Sequence, residues 1–224
     1  YGLRMDDTGR LIVPVRASGV IHSLQFIGPN GDKLFLRDGR VSGCYFGIGK
    51  PDGTLCIAEG YATGASIHEA TGFAVAIAFN AGNLLPVAKA IRGKFPDVRL
   101  IVCADNDVNT EGNPGLTRAR AAAQSVGGAF AVPDFGDVRL EGVTDFNDLH
   151  QAQGLEAVKR CIAAAEPIPL AEPLQSNTNP SRIEFPRTVS LIRGSEITPE
   201  AVTWIWRGWL AAGKMHVFGG APGT

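Results

Sequence analysis

Apolar residues follow two successive patterns along the chain, and each pattern predicts a different kind of structure. From Arg10 to Phe46 they form the short runs "LIVPV", "VIHSLQFI" and "KLFL", broken by "ASG", "GPNGD" and "RDGR". Short apolar runs separated by turn-forming residues are typical of β-hairpins. We therefore expect a small β-rich N-terminal subdomain at residues 1–53.

From Thr54 onward, buried-strand patterns alternate with helical ones. The expected strands are "TLCIAE", "FAVAIAF", "RLIVCA" and "AFAVP", and the expected helices span about 62–70, 84–94, 115–126 and 155–165. Apolar strands joined by helices of this length indicate a parallel sheet with right-handed crossovers. The sequence thus predicts an α/β domain at residues 54–166, with a parallel sheet flanked by helices.

The composition changes after residue 166. Residues 167–200 are rich in Pro, Ser and Asn, which is typical of a linker. Residues 201–224 become apolar and aromatic again, and we interpret them as the start of a second domain.

Charge and cysteine content narrow the possible functions. The 224 residues include 21 Lys and Arg against 22 Asp and Glu, so no field of the whole protein attracts nucleic acid or anionic lipid. Any such binding must be local. The four cysteines show no zinc-ligand spacing, so we predict no zinc site and expect reduced thiols in a cytoplasmic protein. No apolar run approaches the roughly 18 residues of a membrane span.

Acidic residues follow the ends of three predicted strands. Glu59 closes the first strand, and Gly60 beside it is expected to let the backbone turn sharply. Asp105 and Asp107 close the third, and Asp145 follows the fourth after a loop. The carboxyl ends of parallel strands meet at one edge of a sheet, and converging carboxylates suit Mg²⁺. For any one Asp alone, a helix cap or a turn former remains the alternative.

Two motifs carry a family resemblance. The segments "IAEGYATGAS" and "VCADND" resemble the Toprim domain shared by bacterial-type primases, type IA and type II topoisomerases and certain nucleases, over about Thr54 to Ala165. More narrowly, "NPGLTRARAAAQSVGG" and "DFNDLHQAQG" resemble the Toprim primase module of plasmid and phage primase-helicases. In the wider primase family a Lys-Asp-x-Asn motif supplies a further acid. Here "TDFND" provides Asp145 and Asn147, with Thr144 in place of the Lys.

The resemblance implies a Rossmann-like Toprim fold and a nucleotidyltransferase activity in DNA replication. Such an enzyme makes primers on a single-stranded DNA template from nucleoside triphosphates. Asp105 and Asp107, together with Asp145, would bind Mg²⁺ or Mn²⁺. Glu59 would bind a metal through water or act as general base toward the primer 3′-hydroxyl.

Basic residues precede the predicted sheet, where primases carry a region that contacts template and nucleotide. The residues assigned to nucleic-acid or nucleotide binding are Lys33, Arg37, Arg40, Lys50 and Asn147. A solvated hairpin surface is the alternative, because Asp32 and Asp38 reduce the local positive charge. Three histidines follow no ligand spacing and are interpreted as structural or exposed: His22, His68 and His150.

The last residues contain part of a phosphate-binding motif. In G-x-x-x-x-G-K-[ST], Gly220, Gly223 and Thr224 fall within the first five positions, after the apolar "KMHVF". With "WIWRGWLAAGK" ahead of it, the segment resembles the entry to the RecA-type helicase ATPase of primase-helicases, which implies a helicase domain in cis. A Gly-Pro-Gly turn is the alternative.

Two other functions stay open from the sequence. A Toprim nuclease or topoisomerase would cleave strands, and a topoisomerase would need a nucleophilic tyrosine that the sequence does not identify. A non-enzymatic module would bind nucleic acid or recruit a helicase without using the acids.

Overall fold

A computed structural model describes residues 2–108, 110, 112–136, 142–169, 204–206 and 210–211. The chain divides into two compact units, Tyr1–Ser176 and Asn177–Thr224. Most of the predicted linker, as well as the partial phosphate-binding motif with Gly220, Gly223 and Thr224, lies outside the described residues. No helix in the described part of the chain is long and apolar enough to cross a membrane.

Two sheets build the first unit. The N-terminal sheet has four antiparallel strands in chain order: β1 (Arg4–Met5), β2 (Leu11–Ala17), β3 (Val20–Ile27) and β4 (Lys33–Phe35). The second sheet has six strands: β5 (Phe46–Ile48), β6 (Thr54–Ala58), β7 (Ala74–Ile77), β8 (Arg99–Cys103), β9 (Ala129–Ala131) and β10 (Glu166–Pro167). Its order is β10-β9-β8-β6-β7-β5, with a parallel centre and antiparallel edge strands.

Five helices cover the six-stranded sheet: α1 (Tyr61–Thr71), α2 (Leu84–Lys94), α3 (Pro114–Ser125), α4 (Phe146–Gln153) and α5 (Leu155–Ala163). Alternate strand residues point to opposite faces. Cys56 and Val75 pack in the core beneath α1, α4 and α5, whereas Leu55 and Ile57 pack in the core beneath α2 and α3. The predicted α/β fold, a largely parallel sheet between two helical layers, is confirmed.

Two elements differ from the sequence prediction. Helix α4 forms where the sequence predicts no helix, because Phe146 and Leu149 are fully buried and Asp145 with Asp148 makes a capping box. Strand β5 pairs with β7, so part of the predicted N-terminal subdomain joins the large sheet. The boundary placed after residue 53 stays a prediction.

The N-terminal sheet packs against the large sheet. Val13 and Val15 of β2 are fully buried in the same core as Phe46. Phe35 of β4 meets Phe79, which lies just beyond the end of β7, edge to face at a centroid distance of 6.0 Å. The hairpin strand β4 therefore lies close to the carboxyl-end edge of the parallel strands.

Strands β11 (Trp204–Trp206) and β12 (Leu210–Ala211) belong to the second unit. They pair antiparallel with each other and form a two-stranded sheet.

Candidate active site

Two carboxyl groups meet at the edge where parallel strands end. Glu59 follows β6 directly, Asp105 lies two residues beyond the neighbouring β8, and the two side chains share a hydrogen bond. Burial raises the pKa of Glu59, and burial together with the negative charges of Glu59 and Asp145 raises the pKa of Asp105 to about 8. Without a metal, these shifts favour a proton shared between the two carboxyl groups.

Positive groups surround this pair. The Lys33 ammonium of β4 favours the ionised form of both acids, and the Arg118 guanidinium of α3 favours that of Glu59. The backbone N–H of Ala81 donates a hydrogen bond to the Glu59 carboxylate. These groups offset part of the free-energy cost of burying two neighbouring acids.

A rigid loop presents the Ala81 amide. Phe79 has φ +73°, a left-handed conformation that is costly for a bulky residue. Asn83 holds the loop in place, because its buried amide donates to the carbonyls of Val41, Cys44 and Ala78 at 2.8–3.1 Å. Its Oδ1 accepts from the N–H of Gly43 at 2.8 Å. The loop thus has little freedom to move away from Glu59.

Asp145 approaches the pair from the start of α4. Its Oδ1 accepts hydrogen bonds from the N–H groups of Asn147 and Asp148 at 2.7 and 2.9 Å, so it caps the helix. Its Oδ2 accepts from the Thr63 hydroxyl at 2.7 Å. The alternative reading of Asp145 as a helix cap is therefore correct, yet the same carboxylate also acts electrostatically on Asp105.

A backbone hydrogen bond joins the Asp-x-Asp loop to α4. The N–H of Asn106 donates to the carbonyl of Thr144 at 2.7 Å. This contact places the residue after Asp105 beside the residue before Asp145. It explains how acids separated by 40 positions in the chain come to share one edge.

Asp107 takes a different position from Asp105. Strand β8 ends at Cys103, so strict alternation of side chains does not continue to residue 107. The Asp107 carboxylate accepts a hydrogen bond from the Thr110 hydroxyl, as a turn former does. After burial, the charges that raise the pKa of Asp105 are those of Glu59 and Asp145.

Gly60 does not serve the turn that the sequence suggested. Its φ of −98° and ψ of 155° are accessible to any residue. A Cβ at this position would lie 3.2 Å from the Thr63 hydroxyl oxygen and 3.8 Å from the Lys33 ammonium. A larger residue here would therefore be in tight contact with the Thr63 hydroxyl, which would have to shift to accommodate it.

The oxygen atoms present fit a divalent cation. No group of three acidic, His or Cys side chains within the described ranges is close enough to form a complete metal cage. Mg²⁺, however, is usually bound by one or two carboxylates and completed by water and substrate phosphates. Asp105 Oδ1 is buried and, among the described residues, has no hydrogen-bond partner. An unpaired buried carboxylate oxygen beside a second acid is an appropriate ligand for such an ion.

The remaining predicted residues are distributed unevenly. Lys33 is exposed but close enough to both acids to act on their charge, and Arg37, Arg40 and Lys50 are exposed as well. Strand β5 runs antiparallel to β7, and its Ile48 pairs with Val75 near the start of β7. Lys50, which follows β5, therefore lies toward the end of the sheet opposite to the acids.

Asn147 and His150 meet a second polar residue of α1. The Ser66 hydroxyl donates to Asn147 Oδ1 at 3.2 Å and lies 3.1 Å from His150 Nδ1. His68 contacts the carbonyl of Phe73 at 2.6 Å. The structural role expected for these two histidines agrees with these contacts.

Sequence reasoning missed three residues that shape the site. Arg118 lies within "NPGLTRARAAAQSVGG", where only the overall resemblance was recognised. Thr63 follows Glu59 by four positions in "EGYAT", a spacing that places it in the first turn of the helix after the strand. Asn83 gave no signal, because a buried asparagine cannot be distinguished from a loop asparagine without knowing the residues it contacts.

Comparisons with known proteins agree with this architecture. Residues 54–156 match the family model of the Toprim domain. Two curated relatives from Escherichia coli are each named DNA primase TraC. One is 44% identical over 128 residues, covering 53% of this chain and 9% of the relative. The other is 41% identical over 145 residues, covering 60% of this chain and 14% of the relative. The chain thus spans a small part of the length of these relatives.

Solved structures share the fold. The catalytic domain of DnaG primase bound to single-stranded DNA matches with a TM-score of 0.50 and 15% identity, covering 74% of this chain and 56% of that chain. The DnaG catalytic core matches with the same TM-score of 0.50 and 15% identity, covering 70% and 53%. At this level of identity the likeness establishes the fold alone.

Proposed function

We propose, from the match of residues 54–156 to the Toprim domain family, that the chain is the catalytic core of a metal-dependent DNA primase. It would act as a nucleotidyltransferase that adds nucleotides to a primer on a single-stranded DNA template. The observation that carries the proposal is the half-buried Glu59–Asp105 pair at the strand ends, with Lys33 beside it.

Each side chain of the site has a role in this reaction. Asp105 and Asp145, with Asp107, are the residues that would bind Mg²⁺ or Mn²⁺, and the ion would neutralise charge on the nucleotide phosphates. Glu59 accepts the proton of the primer 3′-hydroxyl, and the Ala81 amide keeps its carboxylate oriented for that transfer. Lys33 and Arg118 bind phosphate oxygens of the incoming nucleotide.

The proposed partners follow from the same premise. Nucleoside triphosphates supply the nucleotides, and single-stranded DNA is the template, as in the DnaG structure solved with single-stranded DNA. A helicase domain in cis, in an enzyme of a plasmid or phage, remains a prediction of the sequence resemblance. Arg37, Arg40, Lys50 and Asn147 remain candidates for contacts to template or nucleotide.

Primer extension tests the proposal. A labelled primer annealed to a single-stranded template is incubated with the chain, nucleotides and Mg²⁺, and with Glu59→Gln and Asp105→Asn in parallel. Each variant should lose at least about 100-fold in rate, since each removes a group that acts on the reacting atoms. The matched controls are Glu69→Gln and Asp97→Asn, which change exposed acids away from the site and should retain the parental rate.

The rival functions give different results in the same assay. Strand cleavage without added nucleotides would favour the nuclease or topoisomerase alternative. DNA binding that is the same with and without Mg²⁺, and in both acid variants, would favour the non-enzymatic module. Extension at the parental rate by both Glu59→Gln and Asp105→Asn would show that this site is not a primase centre.

A further inference from the structure

Thr63 lies in the first turn of α1 but does not cap that helix. It is the third residue of the helix, where a side chain often turns back to cap the helix N-terminus, but α1 has no side-chain cap. Its hydroxyl is buried, with the residue only 1% exposed, and donates instead to Asp145 Oδ2 at 2.7 Å. This bond links residues 82 positions apart and belonging to different helices.

The contact determines how the Asp145 carboxylate is oriented. Two backbone N–H groups bind Oδ1 and the Thr63 hydroxyl binds Oδ2, so both oxygens accept hydrogen bonds. Oδ1 already accepts two hydrogen bonds, whereas Oδ2 accepts one and keeps a second lone pair available to a cation. Three donors fix the plane of the carboxylate, while Asp145 remains close enough to Asp105 to act on its charge.

A second contact one helical turn further along α1 supports the same arrangement. Ser66, which is 4% exposed, donates to Asn147 of α4 at 3.2 Å. Positions 63 and 66 lie on one face of α1 because residues three apart are neighbours on a helix. Two hydroxyl groups of α1 therefore contact the first turn of α4 and its cap, and only the first of them touches a carboxylate of the site.

We propose that Thr63 is a positioning residue that orients Asp145 for binding the divalent cation. The inference rests on the proposed function, since it assigns a role toward the metal that the primase reaction requires. Thr63 touches neither the ion nor the substrate and acts through Asp145 alone. Gly60 leaves room for the Thr63 hydroxyl, because a Cβ at position 60 would lie 3.2 Å from its oxygen.

The test compares Thr63→Val, Thr63→Ala and Thr63→Ser with a matched control, Thr71→Val. Thr71 lies on the same helix, but its hydroxyl donates to the carbonyl of Ile67 and accepts from the N–H of Phe73, away from the acids. Binding of Mn²⁺ is measured by calorimetry and by the rise in melting temperature with added metal. Primer extension is measured as a separate readout.

Thr63→Val and Thr63→Ala should both fold and should bind Mn²⁺ about 10- to 100-fold more weakly, as expected when a group that orients a metal ligand is lost. Thr63→Ser should restore binding to within about threefold, because it keeps the hydroxyl. Thr71→Val should lose stability but retain the parental Mn²⁺ affinity. In an Asp145→Asn background, Thr63→Val should have no further effect on affinity.

The outcomes separate this inference from the proposed function. If the parent binds Mn²⁺ at the site and Thr63→Val and Thr63→Ala bind it equally well, Thr63 is only a structural residue and the inference is wrong. If Thr71→Val weakens metal binding as much as Thr63→Val does, the effect is one of general stability, and the inference is again wrong. If the parent itself shows no binding at the acid pair, the proposed function fails first and the inference fails with it.

Discussion

Asp105 combines burial, a neighbouring acid and an unpaired oxygen. In water a carboxyl group ionises near pH 4, but here burial and the charges of Glu59 and Asp145 raise its pKa to about 8. Two carboxyl groups this close repel each other when both are ionised, and binding a proton or a cation relieves that repulsion. At this position the choice between the two depends on pH and on the metal available.

This difference predicts how stability changes with pH. Folded Asp105 has a pKa of about 8 against 3.8 for an unperturbed aspartate, so the folded state binds more protons between those values. The metal-free protein should therefore lose stability as the pH rises through this interval, and lose no more above it. Asp105→Asn should remove most of that loss and be more stable than the parent by about 1–3 kcal/mol at about pH 9.

Urea unfolding in chelator at about pH 5 and about pH 9 measures the effect by the change in the free energy of unfolding. Asp97→Asn, an exposed acid, should keep the pH dependence of the parent. A parental free energy of unfolding that is flat or rises between these two pH values would show that Asp105 does not retain its proton in the folded state.

Individual contacts of the site were only partly predictable from sequence. Strand ends followed by acids were enough to predict that Glu59, Asp105 and Asp145 approach one another. The sequence did not reveal that Asp107 turns toward Thr110, because that depends on where the strand stops. It also did not reveal Thr63 or Asn83, whose partners lie about 40 to 80 positions away in the chain.

At the level of elements, the N-terminal turn of α3 packs directly on the Asp-x-Asp loop. A Cβ at Gly115 would lie 2.9 Å from the carbonyl oxygen of Asp105, closer than real Cβ contacts come. Gly115 therefore permits an approach that any other residue would prevent. The position of Asp105 therefore depends on how closely α3 packs against this loop.

We predict that Gly115→Ala displaces either α3 or Asp105. The free energy of unfolding should fall by about 1–3 kcal/mol, as for overpacked sites in general. The rise in melting temperature with Mg²⁺ should also shrink, because Asp105 moves relative to Glu59. Both quantities can be read from thermal denaturation with and without metal.

Gly93→Ala in α2 is the matched control, because a Cβ there would meet nothing within 4 Å. It should stabilise the protein by up to about 1 kcal/mol through helix propensity and leave the metal response unchanged. A Gly115→Ala variant that is as stable as Gly93→Ala and responds equally to Mg²⁺ would contradict the proposed packing constraint.

Long periodic elements were predictable and short ones were not. Helix α2 has the bounds expected from its apolar spacing, and α1 and α3 agree with expectation to within one residue at each end. Helix α4 has only 8 residues, two of them buried, which is too little for a helical pattern to stand out. Strand β5 has only 3 residues and joins the large sheet through its pairing with β7.

At the scale of the whole molecule, the N-terminal sheet serves as one wall of the site. Lys33 reaches the acids from β4, and two residues further along Phe35 contacts Phe79 beyond the end of β7. The sequence predicted both parts separately. It could not predict their contact, because hairpins and α/β units each satisfy their own hydrogen bonds and carry no visible signal of where they dock.

Phe35→Ala should weaken the packing of β4 against the residues that follow β7. Loss of the aromatic pair should lower the free energy of unfolding by about 0.5–1.5 kcal/mol beyond the loss of buried area. Because Lys33 lies on the same short strand, the KM for nucleotide in primer extension should rise more than kcat falls.

Leu36→Ala is the control for this prediction, since Leu36 is a neighbouring apolar residue that is 47% exposed. It should leave both kinetic constants close to the parental values. Equal kinetics for Phe35→Ala and the parent would indicate that the N-terminal sheet does not support the site.

The account as a whole depends on whether a divalent cation binds between the acids at the carboxyl ends of β6 and β8. A crystal of the chain soaked in Mn²⁺ tests this directly, because anomalous scattering locates the ion. We predict a peak about 2 Å from a carboxylate oxygen of Asp105, with Glu59 and Asp145 facing it directly or through water. A soaked crystal with Mn²⁺ bound only at exposed acids such as Asp97, and none beside Asp105, would contradict the account.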